Sequence, residues 1–171
     1  MLDTSKYSFT KLNEDFEIDK FKCGVSSLDH FLRNFALLNQ KNNISQTYIL
    51  HPKDKKGIVG YYSISSTNVI KKELPYTITG DLPNYPIPCM LIGRLAVDRK
   101  YQKMGFGKYL LYDALKRAVV ISDIIGCYAV IVDALDKIAS DFYKKYGFKE
   151  FGEKEFSLFI PISDIPQTNN K

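Results

Sequence analysis

The fold is decided by the segment Leu91-Ile92-Gly93-Arg94-Leu95-Ala96-Val97-Asp98-Arg99-Lys100-Tyr101-Gln102-Lys103-Met104-Gly105-Phe106-Gly107-Lys108. An apolar strand ends in it, a short basic loop with Gly105 and Gly107 follows, and a helix begins. Such a junction directs several unpaired backbone N–H groups to one place, and the helix dipole adds partial positive charge there. The two glycines let the backbone approach a phosphate without interference from a Cβ atom. With Lys103 and Lys108 beside it, the loop predicts a seat for a pyrophosphate group.

Glycines in a loop also have a plainer interpretation, which is a tight strand-to-helix turn that binds nothing. The dinucleotide-binding fingerprint G-x-G-x-x-G would require glycine at position 110, which is Leu110. A P-loop would require glycine at position 102, where Gln102 stands. Both of these nucleotide-binding motifs are excluded, so the loop has to be interpreted together with the rest of the chain.

The chain before this segment is predicted to form strands and one helix. Ser26 and Asp29 have the spacing of a capping box, and the apolar stripe behind them predicts a helix that reaches about Gln40. Three prolines within Gly80–Pro88 predict a loop. Apolar, β-branched and aromatic residues predict strands at Tyr7–Leu12, Thr47–Leu50, Ile58–Ile70 and Cys89–Val97.

The chain after the segment is predicted to add two helices and at least two strands. Apolar residues at helical spacing predict a helix from Gly107 to about Val120, and Tyr128–Val132 predicts a strand buried on both faces. Asp136 can cap a helix that Gly147 ends in the left-handed conformation. Phe151–Ile162 predicts a final strand or hairpin arm. The expected fold class is α/β (α+β), with a mixed central sheet flanked by helices.

Length and composition narrow the class of protein. A chain of 171 residues fits one domain, expected over residues 1–165 and followed by a frayed tail at 166–171. Three widely spaced cysteines and two histidines disfavour a zinc site, so no metal is expected. The polar N-terminus is unlike a signal peptide, and no apolar run approaches the ~20 residues that span a bilayer. We therefore expect a cytoplasmic protein without a membrane partner.

Two motifs in order along the chain resemble a known family. Gln102-x-x-Gly105-x-Gly107, after a strand that ends in Leu-Ala-Val, resembles the acetyl-CoA signature Q/R-x-x-G-x-G/A of the GNAT N-acetyltransferase superfamily. Ala139, Phe142-Tyr143 and Gly147-Phe148 resemble the A-x-x-F-Y-x-x-x-G-F element that closes the coenzyme site in this family. Two elements about 35 residues apart are far more specific than either alone. The resemblance implies a GNAT fold and acetyl-CoA as co-substrate.

The N-terminal half narrows the resemblance to one group. Phe21-x-Cys23-Gly24-x-x-Ser27-Leu28-Asp29-x-Phe31-Leu32, Gly60–Ile64 and Arg94–Asp98 resemble the GNAT-type toxins of bacterial type II toxin–antitoxin systems. With these motifs the resemblance covers about Leu12 to Ile162. It implies acetylation of the α-amine of aminoacyl-tRNA, which inhibits translation. It also implies a small ribbon-helix-helix antitoxin as partner. We expect the enzyme to be a monomer or a homodimer.

The resemblance also assigns roles in the site. Tyr143 is expected to be the catalytic acid that protonates the departing thiolate, although its helical spacing alone would make it a core residue. The backbone of Leu95, Ala96 and Val97 is expected to pair with the pantetheine arm of the coenzyme. The remaining residues expected to bind the coenzyme are Gln102, Lys103, Met104, Gly105, Phe106, Gly107, Lys108 and Phe142.

Roles toward the acceptor substrate are more open. Arg94 is unusual within an apolar strand and is expected either to hold substrate or to form an ion pair with Asp98 or another acid. Lys144 and Lys145 are further candidates for substrate binding. They could contact RNA phosphates together with the basic residues of segment 31–60, although a solvated face is the commoner explanation for scattered lysines. The basic residues of segment 31–60 are Arg33, Lys41, Lys53, Lys55 and Lys56.

The general base and the identity of the amine also have alternatives. Positions 92–94 supply no carboxylate, so the amine could lose its proton to water. Carboxylates elsewhere remain candidates, namely Glu73, Asp133 and Asp136. Two other functions are compatible with the motifs. One is a GNAT acetyltransferase of a small-molecule or protein amine, and the other is a non-catalytic module that binds CoA, RNA or a partner protein.

Overall fold

Seven strands and four helices build residues 3–166, the part of the chain that the computed structural model describes. The predicted tail falls, beyond Pro166, outside the described residues. The strands are β1 (Tyr7–Lys11), β2 (Gln46–Pro52), β3 (Gly60–Val69), β4 (Ile87–Val97), β5 (Ala129–Asp133), β6 (Lys149–Glu150) and β7 (Ser157–Pro161). The helices are α1 (Ser26–Asn34), α2 (Ala36–Lys41), α3 (Phe106–Ile124) and α4 (Lys137–Lys144).

The strands are hydrogen-bonded in the order β1-β2-β3-β4-β5-β7-β6. Strands β4 and β5 run parallel, with Cys89 opposite Ala129 and Ile92 opposite Val132. Strands β1, β2 and β3 pair antiparallel, as do β5, β7 and β6. This mixed sheet with its helices confirms the predicted α/β (α+β) fold class. No helix within residues 3–166 combines the length and apolar character needed to cross a membrane.

The chain divides into two compact units. The first unit contains the chain up to Ser65 and the segment Gly93–Ala114. The second contains Ser66–Ile92 and the chain from Leu115 onward. Strands β3 and β4 run through both units. Each unit has its own cluster of buried apolar residues, and each is described separately below.

The first unit packs α1 and α2 against β2 and β3. Tyr61 on β3 is fully buried between the rings of Phe21 and Phe31, and its hydroxyl donates to the Leu28 oxygen at 2.8 Å. A buried phenol needs such a partner, because an unsatisfied polar group in the interior costs about 1–3 kcal/mol. This contact fixes α1 over the sheet.

Two predictions for the first helix are wrong in detail. The helix breaks at Phe35, so α1 and α2 replace one continuous helix to Gln40. The capping box is absent, because Val25 is the N-cap and makes no side-chain capping bond. The Asp29 carboxylate instead accepts the Cys23 N–H at 2.8 Å. Asp29 therefore holds the chain that enters the helix.

The second unit confirms the predicted strand of buried residues and the capped helix. Ala129 to Val132 are buried along β5, as expected for a strand covered on both faces. The Asp136 carboxylate accepts the Ala139 N–H at 2.8 Å and caps α4, and Gly147 has φ +93° after its end. Of the predicted arm Phe151–Ile162, only Ser157–Pro161 is a strand, β7, and its partner β6 lies before the predicted start, at Lys149–Glu150. A loop with positive φ at Gly152 and Phe156 separates them.

Candidate active site

The carboxyl half of β4 lies close to β3 because of one glycine. A Cβ atom on Gly60 would lie 2.7 Å from Leu110 Cδ1 and 2.8 Å from the Ala96 oxygen. The Asp98 N–H donates to the Val59 oxygen at 2.9 Å and continues this pairing beyond the end of β4. The backbone of Leu95–Val97, which is expected to contact the coenzyme, is thereby fixed by glycine-permitted close packing.

Asp98 fixes the turn that follows β4. Its side chain is 5% exposed, and one carboxylate oxygen accepts the Lys22 N–H at 2.9 Å while the other accepts the Lys100 N–H at 3.0 Å. The 3₁₀ turn Arg99–Tyr101 starts at this capping residue. The sequence pattern indicates Asp98 only as a possible ion-pair partner of Arg94. An aspartate directly after a strand and before a turn is the signal that could have identified its capping role.

Gln102 attaches the glycine loop to the structure. Its side-chain amide donates to the Cys23 oxygen at 2.7 Å and to the Val97 oxygen at 2.9 Å. The glutamine of the signature therefore positions the loop through main-chain oxygens on two segments of the first unit.

The loop itself has the backbone geometry of an anion site. Lys103 has φ +62° and Gly105 has φ +91°, and Met104 lies between them without a positive φ. Left-handed residues within a turn help to gather successive N–H groups into a concavity that binds anions. A Cβ on Gly105 would meet no atom within 4 Å, so this side of the loop is open to a ligand.

Helix α3 begins at the end of the loop and adds its own N–H groups. The Phe106 side chain is 1% exposed and packs edge-on against Tyr7 and Tyr101, with ring centroids 4.9 and 5.7 Å away. The Tyr109 N–H donates to the Gly105 oxygen at 3.3 Å. Donors earlier in the first helical turn have no partner within the helix, and Lys108 is exposed beside them. Together the loop and helix start fit a pyrophosphate group.

Among residues 3–166, Arg94 forms no ion pair with Asp98 or with another acid. Its guanidinium lies over the Phe31 ring, 3.7 Å from the centroid, and both oxygens of Asp98 accept main-chain N–H groups. An arginine over an aromatic ring gains a cation–π interaction of about 0.5–2 kcal/mol. The stacking explains how a charged residue is accommodated on this strand.

Tyr143 lies in the second unit, on the buried face of α4. It is 8% exposed and contacts the rings of Phe142 and Phe148 at centroid distances of 5.1 and 5.4 Å. Burial raises the pKa of the Tyr143 phenol above its usual value. Within residues 3–166 its hydroxyl has no hydrogen-bond partner. The phenol is therefore neutral at physiological pH and can donate its proton.

Ser140, on α4, is a candidate site residue that the sequence pattern did not indicate. It lies one turn before Tyr143, and its buried hydroxyl has no hydrogen-bond partner among the described residues. Side chains at i and i+3 share a helix face. A buried polar group without a partner is rare in native proteins and is commonly completed by water or a ligand. The signal in the sequence was a serine on the face that also carries Tyr143.

The predicted substrate lysines lie at the end of α4. Lys144 Nζ forms an ion pair with Glu150 at 2.6 Å, whereas Lys145 is exposed at the C-cap. Both residues belong to the second unit.

The three candidate base carboxylates are each engaged. Glu73 accepts the Ile70 N–H at 3.0 Å, and Asp136 caps α4. Asp133 accepts from Lys154 Nζ and Ser157 Oγ, both at 2.6 Å. Burial opposes ionisation of Asp133, but these hydrogen bonds and the charge of Lys154 outweigh it and lower its pKa. Asp133 is therefore a weak base.

Glu73 and Asp133 nevertheless line one cavity of about 740 Å³ in the second unit. Its other walls include Thr67, Lys72, Phe151 and Lys154. Charged and apolar side chains line the cavity in about equal measure. Within the described residues, no group of three or more His, Cys, Asp or Glu side chains is arranged to hold a metal ion.

Comparison with known proteins places this geometry in context. Residues 45–150 match the family described as acetyltransferase (GNAT) domain. A tRNA-acetylating toxin of Mycobacterium tuberculosis (strain ATCC 25618 / H37Rv) is 34% identical over 154 residues, which cover 90% of this chain and 91% of that protein.

Two solved structures of the toxin AtaT are also similar. AtaT complexed with acetyl-methionyl-tRNAfMet has a TM-score of 0.87 at 30% identity, over 92% of this chain and 95% of that one. A tyrosine-to-phenylalanine mutant of AtaT bound to acetyl-CoA and the C-terminus of the antitoxin AtaR has a TM-score of 0.76 at 28% identity, over 92% and 94% of the two chains.

Proposed function

This chain belongs to the GNAT acetyltransferase family, and we propose that it transfers the acetyl group of acetyl-CoA to the α-amine of the amino acid on a charged tRNA. The observation that carries the acetyltransferase activity is the open, positive-φ loop at Lys103–Gly105, which leads into the first turn of α3. Similarity to a tRNA-acetylating toxin over nine-tenths of the chain supports tRNA as the acceptor.

The loop and strand of the first unit have the parts needed to bind the coenzyme. Acetyl-CoA supplies a thioester, which a neutral amine can attack. The main-chain N–H groups from Lys103 to Lys108 would hold the pyrophosphate. The main chain of Leu95–Val97 would pair with the pantetheine arm as an added strand does. A main-chain N–H in this strand would also stabilise the negative charge that develops on the carbonyl oxygen.

Tyr143 would act as the acid of the reaction. Its raised pKa keeps the phenol protonated until a base stronger than water approaches. A departing thiolate is such a base, with an ordinary pKa of about 8.5. Because burial makes the Tyr143 phenol a weaker acid than free tyrosine, its hydroxyl would stabilise the departing sulfur chiefly by donating a hydrogen bond, and would transfer the proton as the C–S bond breaks. Phe142 and Phe148 hold the ring, so the hydroxyl has a fixed direction.

Proton removal from the amine would not require a dedicated carboxylate. An α-amino group has an ordinary pKa of about 7.7–8.0, so a substantial fraction is neutral near pH 7.5. The three carboxylates considered above already accept hydrogen bonds from the protein. Water is therefore the proposed proton acceptor.

Acetylation of charged tRNA would make the protein a toxin that inhibits translation. The AtaT structure with the C-terminus of AtaR supports control by an antitoxin protein. We propose an antitoxin of the ribbon-helix-helix type, as the resemblance in the sequence implies. We also propose that two copies of the chain form a homodimer to hold one tRNA.

Cell-free translation with acetyl-CoA tests the proposal. We expect the purified protein to stop translation only when acetyl-CoA is present, and the aminoacyl group of recovered tRNA to gain an acetyl group by mass spectrometry. Tyr143→Phe should lose at least ~100-fold in acetylation rate while binding acetyl-CoA within about twofold of the wild type. Tyr146→Phe, in the turn that follows the same helix, is the matched control and should keep the wild-type rate.

Other results would select the alternative functions. Unaffected translation together with acetylation of small amines or peptides would replace tRNA by another acceptor. Acetyl-CoA binding without acetylation of any amine tested would favour a non-catalytic module.

A further inference from the structure

A second cavity, of about 320 Å³, lies within the first unit. Four of its lining residues have basic side chains, namely Lys22, His30, Arg33 and Arg99. Arg99 belongs to the 3₁₀ turn that leads into Gln102, and Lys22 precedes the residue whose oxygen accepts from Gln102. The cavity is thus built on the same segments that hold the glycine loop.

The cations of this cavity are mostly free to meet a ligand. Within residues 3–166, neither Lys22 nor Arg99 forms a side-chain ion pair. Arg33 has a long contact with Asp19, 3.7 Å, and both side chains are exposed, so the pair is weak. Asp29 is the only acid among the lining residues, and one of its oxygens accepts the Cys23 N–H. The balance of charge favours an anion.

Gly24 shapes the cavity around Arg99. It has φ +97°, and a Cβ at this position would lie 2.8 Å from Arg99 Nε and 3.1 Å from one of its terminal nitrogens. Because Gly24 has no Cβ, the guanidinium of Arg99 can pack directly against the backbone at this position. A planar fork held in this way suits phosphate oxygens better than a mobile lysine does.

The start of α1 contributes further positive potential. Its nine residues begin at Ser26, which lines the cavity, and the N-cap Val25 provides no side-chain acceptor. The first N–H groups of a helix have no partner within it, and the dipole is positive at this end. The helix start adds to the charged side chains and is not itself the basis of the assignment.

We infer that this cavity binds a backbone phosphate of the tRNA substrate, with Arg99 and Lys22 as its main contacts. The inference rests on the proposed function, because it requires RNA as the acceptor. Exposed cations in an open cleft suit a large polyanion that approaches from solvent. The ribose phosphate of coenzyme A is the other source of the same chemistry, and the experiment distinguishes the two.

Binding of uncharged tRNA at several salt concentrations tests the inference without turnover. Arg99→Gln and Lys22→Gln should each weaken tRNA binding about fivefold and reduce the slope of log K against log salt by about 0.7–0.9. Lys22 donates to Asp98 through its backbone N–H and not through its side chain. Lys22→Gln should therefore fold even if Arg99→Gln does not. Lys11→Gln is the matched control, since Lys11 is exposed in the same unit and does not line the cavity.

The outcomes separate the inference from the proposed function. Unchanged affinity and slope in both variants would overturn the inference, and so would an equal loss in Lys11→Gln, which would indicate net charge alone. Weaker binding of acetyl-CoA but not of its analogue lacking the ribose phosphate, with unchanged tRNA binding, would assign the cavity to the coenzyme and overturn the RNA assignment. Wild-type protein that binds no tRNA would overturn the inference and the proposed tRNA substrate together.

Discussion

The side-chain amide of Gln102 donates to the main-chain oxygen of Cys23 at 2.7 Å. The same amide nitrogen reaches the oxygen of Val97, the last residue of β4, at 2.9 Å. One residue thus joins the end of β4, the entry to α1 and the glycine loop. In this chain the signature glutamine is best understood as the residue that sets the shape of the loop.

Replacing Gln102 by alanine should loosen the loop. Two hydrogen bonds are lost, but the site is exposed and water can replace them in part, so the free energy of unfolding should fall by only about 1 kcal/mol. Acetyl-CoA binding should weaken about tenfold, because the loop must then be ordered by the ligand. Calorimetric titration measures this effect. Gln102→Glu, which cannot donate, should be at least as weak, and wild-type affinity in both variants would contradict the positioning role.

Gly60→Ala should destabilise the first unit. The new Cβ would lie 2.8 Å from the backbone oxygen of Ala96, which cannot move without shifting β4. Overpacking of this kind costs about 1–3 kcal/mol, measurable as a lower midpoint of urea unfolding. Gly57→Ala is the control, because a Cβ there would meet no atom within 4 Å. Equal stability of the two variants would show that β3 and β4 can separate at no cost.

Local patterns predicted the elements whose signals are contained in a few neighbouring residues. The helix capped by Asp136, the terminator Gly147 and the apolar strand β5 follow from spacing and residue type alone. The Ser26 capping box failed because a backbone donor outside the helix decides the role of Asp29. Its carboxylate accepts the Cys23 N–H, and a sequence pattern does not show that competition.

The sequence indicated the parts of the candidate site that depend on main-chain conformation. It did not indicate the side-chain contacts between residues that are far apart in the chain. The loop's glycines indicated an anion seat, and Gly105 has the positive φ that this needs. The stacking of Arg94 on Phe31 joins residues 63 positions apart, and the hydrogen bond from the Lys22 N–H to Asp98 joins residues 76 positions apart. Such pairs depend on the packing of α1 and the turn, which periodicity does not specify.

The rate of acetylation should depend on pH in one direction only. The rate should rise through about pH 7–8 as the α-amine loses its proton, and then remain flat to about pH 10. The acid must be protonated to act, and burial raises the pKa of Tyr143, so the acid form persists to higher pH. A pH profile of kcat/KM tests this. A fall in rate between pH 8 and 9.5 that is absent in Tyr143→Phe would contradict a raised pKa.

The cysteines should be poorly reactive in the native protein. Burial, and a hydrogen bond to Asp29 for Cys23, raise the pKa of the Cys23 thiol to about 11, and burial raises that of Cys89 to about 11. Little thiolate should exist at pH 8, so alkylation should be much slower than in denaturant, with the half-buried Cys127 reacting first. Peptide mapping by mass spectrometry measures the order.

The raised pKa values of the same thiols predict how the free energy of unfolding changes with pH. An unfolded thiol loses its proton near pH 8.5, whereas the native thiols retain theirs to about 11. Their contribution to stability is therefore complete below about pH 8.5 and is lost as pH rises toward 11. Rapid labelling of Cys23 at pH 8 without unfolding would show that its burial is incomplete.

Asp98→Asn should disturb both sites proposed in the first unit, the coenzyme loop and the phosphate cavity. The carboxylate accepts the N–H groups of Lys22 and Lys100, and an amide offers one oxygen and places its own N–H groups against the second donor. A buried donor left without a partner costs about 1–3 kcal/mol, so the unfolding midpoint should fall by that free energy. Because the turn at Arg99 would shift with it, acetyl-CoA and tRNA should both bind several-fold more weakly. Asp54→Asn, at an exposed position of the same unit, should change neither property. If Asp98→Asn lost stability but kept both affinities, the turn would be only a structural link, and the control of ligand geometry would have to lie in Gln102 alone.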